Sequence, residues 1–118
     1  MAYPVRENTL NRNFFAVESG QKRVSDITYL RGLNGWIYLT VALDLFGRKV
    51  IGWALSANLE AANTSIPAFE MADKNRTTQK DLIFHSGRGV QYRAVSLRDV
   101  MRNYCPGVRQ SMSRKGNY

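Results

Sequence analysis

Val24-Ser25-Asp26-Ile27-Thr28-Tyr29-Leu30-Arg31-Gly32-Leu33-Asn34-Gly35-Trp36-Ile37-Tyr38-Leu39 decides how this chain folds. Val24 to Leu30 is rich in β-branched and aromatic residues and predicts a strand. Ile27 and Tyr29 fall on one face of it, Asp26 and Thr28 on the other. Asn34-Gly35 predicts a tight hairpin, because both residues tolerate positive φ. Trp36 to Phe46 then predicts a second strand, whose nearly continuous apolar run implies burial on both faces and an internal place in a sheet. Gly47-Arg48 marks another turn, and Lys49 to Leu55 predicts a third strand. The three form an antiparallel meander.

Downstream the period changes. Ala62, Ile66, Phe69 and Ala72 or Asp73 recur at helical spacing from Glu60 onward. Pro67 is tolerated only in a first turn, with Asn63, Thr64 or Ser65 as the N-cap, so the spacing predicts a helix of about ten to fifteen residues ending near Asn75. Leu82-Ile83-Phe84 predicts a fourth strand, broken sharply by Ser86-Gly87-Arg88-Gly89. Ser96 with Asp99 marks a second helix start, and Leu97, Val100, Met101 and Tyr104 share one face of that helix. Cys105-Pro106-Gly107 stops it, and Val108 to Met112 predicts a last strand. Trp36, Trp53 and Phe69 read as core residues. The order β-β-β-α-β-α-β predicts an α/β protein with a mixed sheet and helices on both faces. That element order is the one of the ribonuclease-H-like fold. Residues 1–22 show no period and read as an N-terminal arm or linker to a core over 23–118.

Composition narrows the function. The 118 residues are 44% hydrophobic and 22% charged, as in one ordinary globular domain. The lone Cys105 forms no intrachain disulfide, which fits a reducing compartment. No apolar stretch approaches the ~20 residues of a membrane-spanning helix. Net charge is +8, distributed as +2 over residues 1–25, −1 over 26–72, +3 over 73–100 and +4 over 101–118. A basic C-terminal half points to a polyanion, most simply nucleic acid; a basic protein without a specific partner is the plain alternative.

If strands one and four are neighbours, Asp26 lies beside the segment His85 to Arg88. Enzymes that move phosphoryl groups on DNA commonly use two divalent metals ~3.5–4 Å apart, held by carboxylates on rigid neighbouring elements. Such a site needs an acid on each of those strands. Asp26 supplies the first, but position 87 is glycine.

The motifs now resemble a family. Val24-Ser25-Asp26-Ile27-Thr28-Tyr29 resembles the W-x-x-D-I-T-Y opening of the integrase-type core of bacterial insertion-sequence transposases. Gly35-Trp36-Ile37-Tyr38-Leu39 and Leu43-Asp44-Leu45-Phe46-Gly47-Arg48-Lys49-Val50-Ile51-Gly52-Trp53 resemble its G-W-L-Y-L and D-L-F-S-R-K-V-V-G-W. Phe84-His85-Ser86-Gly87-Arg88-Gly89-Val90-Gln91-Tyr92 is similar to H-S-D-R-G-x-Q-Y, and Gln110-Ser111-Met112-Ser113-Arg114-Lys115-Gly116-Asn117 matches Q-S-M-S-R-K-G-N. Asn11-Arg12-Asn13-Phe14 is similar to the N-R-x-F of the linker before the core. The likeness runs in order over nearly the whole chain.

The resemblance implies a DDE transposase related to retroviral integrases. There Asp, Asp and Glu hold Mg²⁺ or Mn²⁺, and water or a DNA 3′-hydroxyl attacks a phosphodiester in line. Asp26 matches the first Asp, as a remnant metal ligand. Gly87 stands at the second, with sixty residues between. The Glu of the pattern falls in a D-N-A-x-x-E segment past Tyr118. The expectation is weak or no metal binding and no catalysis by this incomplete core. By resemblance the partner is DNA, as transposon ends and target, with Arg88, Gln91, Arg114 and Lys115 as contacts. A homodimer is an allowed assembly, a membrane is not a partner, and the expected place is the bacterial cytoplasm at the nucleoid. Gln91 and Tyr92 read equally well as braces of their loop, Asp44 as a structural acid and His85 as a structural histidine. Three readings stand: a degenerate remnant without catalysis, a DNA-binding or dimerising regulatory module, and an active enzyme whose missing ligands come from elsewhere.

Overall fold

The computed structural model describes Asn8, Leu10, Asn13 and residues 15–113. Among them, five strands form one sheet in the order β3-β2-β1-β4-β5. β1 (Lys22–Gly32), β2 (Gly35–Asp44) and β3 (Lys49–Ser56) are the expected antiparallel meander. Gly35 and Gly47, at the two turns, both have positive φ (129° and 86°), as tight reversals require. β4 (Ile83–Ser86) pairs parallel to β1, and β5 (Arg109–Met112) parallel to β4. Between them run α1 (Ser65–Asn75) and α2 (Val95–Tyr104).

Both helices lie on the same face. Phe69 of α1 and Leu97 and Met101 of α2 share one core with Leu82, Phe84 and Met112. The expectation of helices on both faces is therefore corrected, and handedness gives the reason. The connections β3–α1–β4 and β4–α2–β5 both join parallel strands and cross the sheet in the same direction. Right-handed crossovers made in one direction place their helices on one side. α1 comes close to β3 because Gly52 permits it: a Cβ there would run into the Ala68 carbonyl.

The opposite face is covered in part by the N-terminal stretch, where Leu10 joins Leu45 and Ile83 with Val24 and Leu43 beside them. Among the described residues nothing else covers that face. Trp53 pairs with Val41 across β3 and β2 and is 51% exposed, with Leu55 and Ile37 exposed as well. Trp36, on the hairpin beyond the helices, is 48% exposed. Of the three expected core aromatics, only Phe69 is buried. β2 is internal to the sheet, as its apolar run implied, but only one of its faces is well covered.

α1 begins and ends within the bounds the reading offered, though without the expected capping bond, and the start of α2 differs. Thr64 is the N-cap of α1, yet its hydroxyl donates to the Glu60 carbonyl rather than capping the helix. α2 starts at Val95 after Ala94, so Ser96 lies inside it and Asp99 pairs with Arg98 at 3.7 Å instead of closing a cap.

Candidate functional site

β1 runs farther than β4. Their pairing covers Lys22 to Ser25 only, so from Asp26 onward the side of β1 facing β4 has no strand partner. There the chain leaving β4 turns away through Gly87, and a cleft of about 360 Å³ opens between Asp26, Ile27 and Tyr29 on one side and Gly87, Arg88 and Gln91 on the other. The carboxyl ends of parallel strands are where open α/β sheets place their ligands. A wider hollow of about 580 Å³ lies at the opposite ends of the strands, beside Lys22, Lys80, Asp81 and Arg109. It offers a single acid and no pair.

The structure thus brings Asp26 and Gly87 together, as the sequence implied. Asp26 is exposed, and its Oδ1 accepts the Ile27 amide at 2.9 Å. Gly87 is free of the positive-φ region, and a Cβ built on it meets nothing within 4 Å. A side chain at 87 would therefore fit without strain. Arg88 and Gln91 line the same cleft. Arg114 and Lys115 lie outside the described residues.

The residues present do not fit a two-metal centre. Among the described residues Asp26 is the only carboxylate lining the cleft, and no three His, Cys, Asp or Glu side chains gather as a metal would need. His85 does not supply the difference. Its Nδ1 pairs with Ser111 Oγ at 2.8 Å, and burial holds the imidazole below its ordinary pKa of 6.5. Ser111 Oγ also accepts the Leu10 amide at 2.9 Å, so His85 ties β4 and β5 to the N-terminal stretch. Asp44 is structural too. Fully buried, it accepts from Ser19 Oγ (2.7 Å) and the Phe46 and Gly20 amides (3.2 and 3.3 Å), and faces Arg76 at 3.4 Å.

Two features complete the site; the sequence offered the first, Tyr92 as a brace of its loop, as one of two readings, and did not mark the second. Tyr92 braces the loop: its hydroxyl donates to Ser25 Oγ at 2.8 Å, and Ser25 donates to the Val41 carbonyl at 2.8 Å. This relay fixes the loop's end to β1 one residue before Asp26. Burial pushes the Tyr92 hydroxyl well above the ordinary tyrosine pKa, against the opposing effect of the Ser25 bond, so it stays a donor. Gln91 is both brace and lining. Its carbonyl accepts Ser65 Oγ at 2.7 Å, and its side chain fills the space beside Gly89 that a Cβ would need. The second feature is Arg23, fully buried beneath the sheet's helical face. Its Nη2 donates to the carbonyls of Arg76 and Thr77, while Nε and Nη1 have no hydrogen-bond partner.

A five-stranded mixed sheet with this strand order, and an acidic position on β1 opposite the end of β4, defines a ribonuclease-H-like core. The integrase core domain family matches residues 16–118, and the chain belongs to that family. It is 40% identical over 113 residues to the transposase InsF for insertion sequence IS3A of Escherichia coli K12, covering 96% of this chain and 38% of that protein. It is 33% identical over 112 residues to the transposase for insertion sequence element IS904 of Lactococcus lactis, covering 95% of this chain and 43% of that protein. The chain therefore spans about two-fifths of these relatives' length. Among solved structures, the HTLV-2 integrase catalytic core domain in complex with magnesium (trimeric form) superposes with a TM-score of 0.70 at 14% identity, over 84% of this chain and 63% of that one. A chain of the simian T-cell lymphotropic virus intasome superposes with a TM-score of 0.71 at 14% identity, over 85% and 36%. These likenesses concern the fold.

Proposed function

We propose that this chain is the core of an insertion-sequence transposase that engages DNA but has glycine in place of the second carboxylate needed for metal-dependent strand transfer. The observation that carries this reading is Gly87: it stands across the cleft from Asp26, where the family pattern has its second Asp, and among the described residues no other acid lines the cleft. One exposed carboxylate does not hold two divalent ions against water, since Mg²⁺ dehydrates reluctantly and needs several oxygen ligands. Weak or no binding of Mg²⁺ or Mn²⁺ follows. The unit that acts is residues 23–118, with 1–22 as an arm leading into it.

DNA as the partner is supported by the distribution of charge. From Arg88 to Arg109 the chain carries five arginines, namely 88, 93, 98, 102 and 109, against the single acid Asp99. Arg98, Arg102 and Arg109 line one groove of about 190 Å³ between α2 and β5. Arginine forks suit phosphate, and such contacts give salt-dependent affinity that is blind to sequence. The site of action is the bacterial cytoplasm at the nucleoid, where that DNA lies, and a homodimer is compatible with the reading.

The test is a gel shift of short duplex DNA over a salt series, run beside a Mg²⁺- or Mn²⁺-dependent cleavage assay. The expected result is a shift that weakens steeply with salt and no cleavage. Metal-dependent cleavage by the unaltered chain overturns the inactive reading. Absence of any shift at low salt overturns the DNA partner.

A further inference from the structure

The β1–β2 hairpin projects past the end of β4 and carries an aromatic cluster. The register sets Tyr29 opposite Tyr38 and Arg31 opposite Trp36, so all four share a face. The Tyr29 ring meets Tyr38 at 5.1 Å and Trp36 at 6.5 Å between centroids, both edge-on. The Arg31 guanidinium lies over the Trp36 ring at 5.4 Å. Cross-strand pairing accounts for the edge contacts. It leaves unexplained why Tyr29 and Trp36 remain 54% and 48% exposed beside a cation.

The position of the cluster supplies a reason. Tyr29 lines the cleft that holds Asp26, Gly87 and Arg88. Tyr29 follows Asp26 by three steps of strand, on the other face of β1, about 10 Å along it at ~3.3 Å per residue, which is about the axial rise of three nucleotides at ~3.4 Å each. Between Asp26 and Asp44 the hairpin has no acid to repel a phosphate. Exposed aromatic rings flanked by arginine, continuous with a cleft that has Arg88 on its wall, are the parts of a single-strand site. Bases stack on the rings whatever their sequence, and the cations track the backbone.

We propose that Tyr29, Trp36, Tyr38 and Arg31 form a stacking platform for unpaired nucleotides of the strand that enters the Asp26 cleft. The proposal rests on the reading that nucleic acid is the partner, and deepens it: the hairpin takes frayed or single-stranded DNA, distinct from the duplex backbone gripped by the arginines of α2 and β5.

Trp36 reports on itself. The chain has two tryptophans, and Trp53 lies on the opposite face of the sheet, so Trp53→Phe leaves Trp36 as the sole indole. Titration of that variant with oligo(dT) should quench its fluorescence saturably, and a blunt duplex of the same length should quench it far less. In the unaltered background, Trp36→Ala and Tyr29→Ala should each weaken oligo(dT) binding about tenfold and duplex binding less than twofold, while Tyr29→Phe, which keeps the ring, should restore it. Arg31→Gln should lower the single-strand salt slope by about 0.7. Circular dichroism checks that the hairpin variants fold, and Tyr29→Phe against the native chain stays informative if the alanine variants do not. Equal weakening of both DNA forms, or oligo(dT) binding without quenching, overturns the platform. So does Trp36 quenching that follows protein concentration without DNA, which would make the hairpin an interface between copies. Failure to bind any DNA form instead overturns the partner reading above.

Discussion

The hydroxyl of Tyr92 sits 2.8 Å from Ser25 Oγ, joining the loop after β4 to the strand that carries Asp26. Tyr92 is buried among Phe84, Leu97 and Met101, so the ring packs whether or not the hydroxyl is present. Tyr92→Phe should cost about 1 kcal/mol, the net worth of one buried hydrogen bond, measured by urea denaturation. Tyr92→Ala should cost ~3–5 kcal/mol, as for other large aromatics deleted from a core.

Gly52 is the point where β3 and α1 touch. The Ala68 carbonyl and Ala72 amide occupy the space a Cβ would take, and both belong to backbone that cannot rotate aside. Gly52→Ala should therefore destabilise by about 1–3 kcal/mol through overpacking, seen as a lower midpoint of thermal unfolding. Gly87→Ala, where a Cβ meets nothing, should leave the midpoint nearly unchanged.

Arg23 is a defect of packing. It is fully buried, and among the described residues two of its nitrogens lack partners. Burial lowers its pKa, while Asp44 and Asp73 raise it. Asp44 keeps Ser19, Phe46 and Arg76 without it. Arg23→Met should raise stability by about 1–3 kcal/mol by removing unsatisfied buried donors. Chemical denaturation checks the sign.

His85 makes stability depend on pH. Burial lowers its folded-state pKa below the ordinary 6.5, so the unfolded chain binds the proton more readily. Its contribution is fully present above pH 6.5 and is lost as pH falls through the window down to the folded value. His85→Gln should flatten the stability profile over that window, as read from unfolding midpoints between pH 7 and 5.

Much of the fold was legible because local chemistry agreed with it. Asn34-Gly35 placed the hairpin, and Pro67 placed the first turn of α1. The pairing of Asp26 with position 87 followed from the parallel contact of β1 and β4. What the sequence hid was relational. Which face the helices cover depends on the direction of two crossovers, and no residue in either helix encodes that. Trp53 looked like core because its neighbours are apolar, yet alternation turns it to the open face. Ser25 and Tyr92 are 67 positions apart, and nothing in either flank announces their bond. Asp44 and His85, by contrast, are the structural residues their surroundings suggested.

We propose that glycine at 87 leaves Asp26 without the second carboxylate needed to hold metal. Amide NMR with Mn²⁺ titration tests it directly, following paramagnetic broadening at Ile27, residue 87 and Arg88 in the native chain and in Gly87→Asp. The expected result is no saturable broadening at the cleft in the native chain and saturable, localised broadening in Gly87→Asp. Saturable broadening in the native chain at the same Mn²⁺ concentration as in the variant would contradict it.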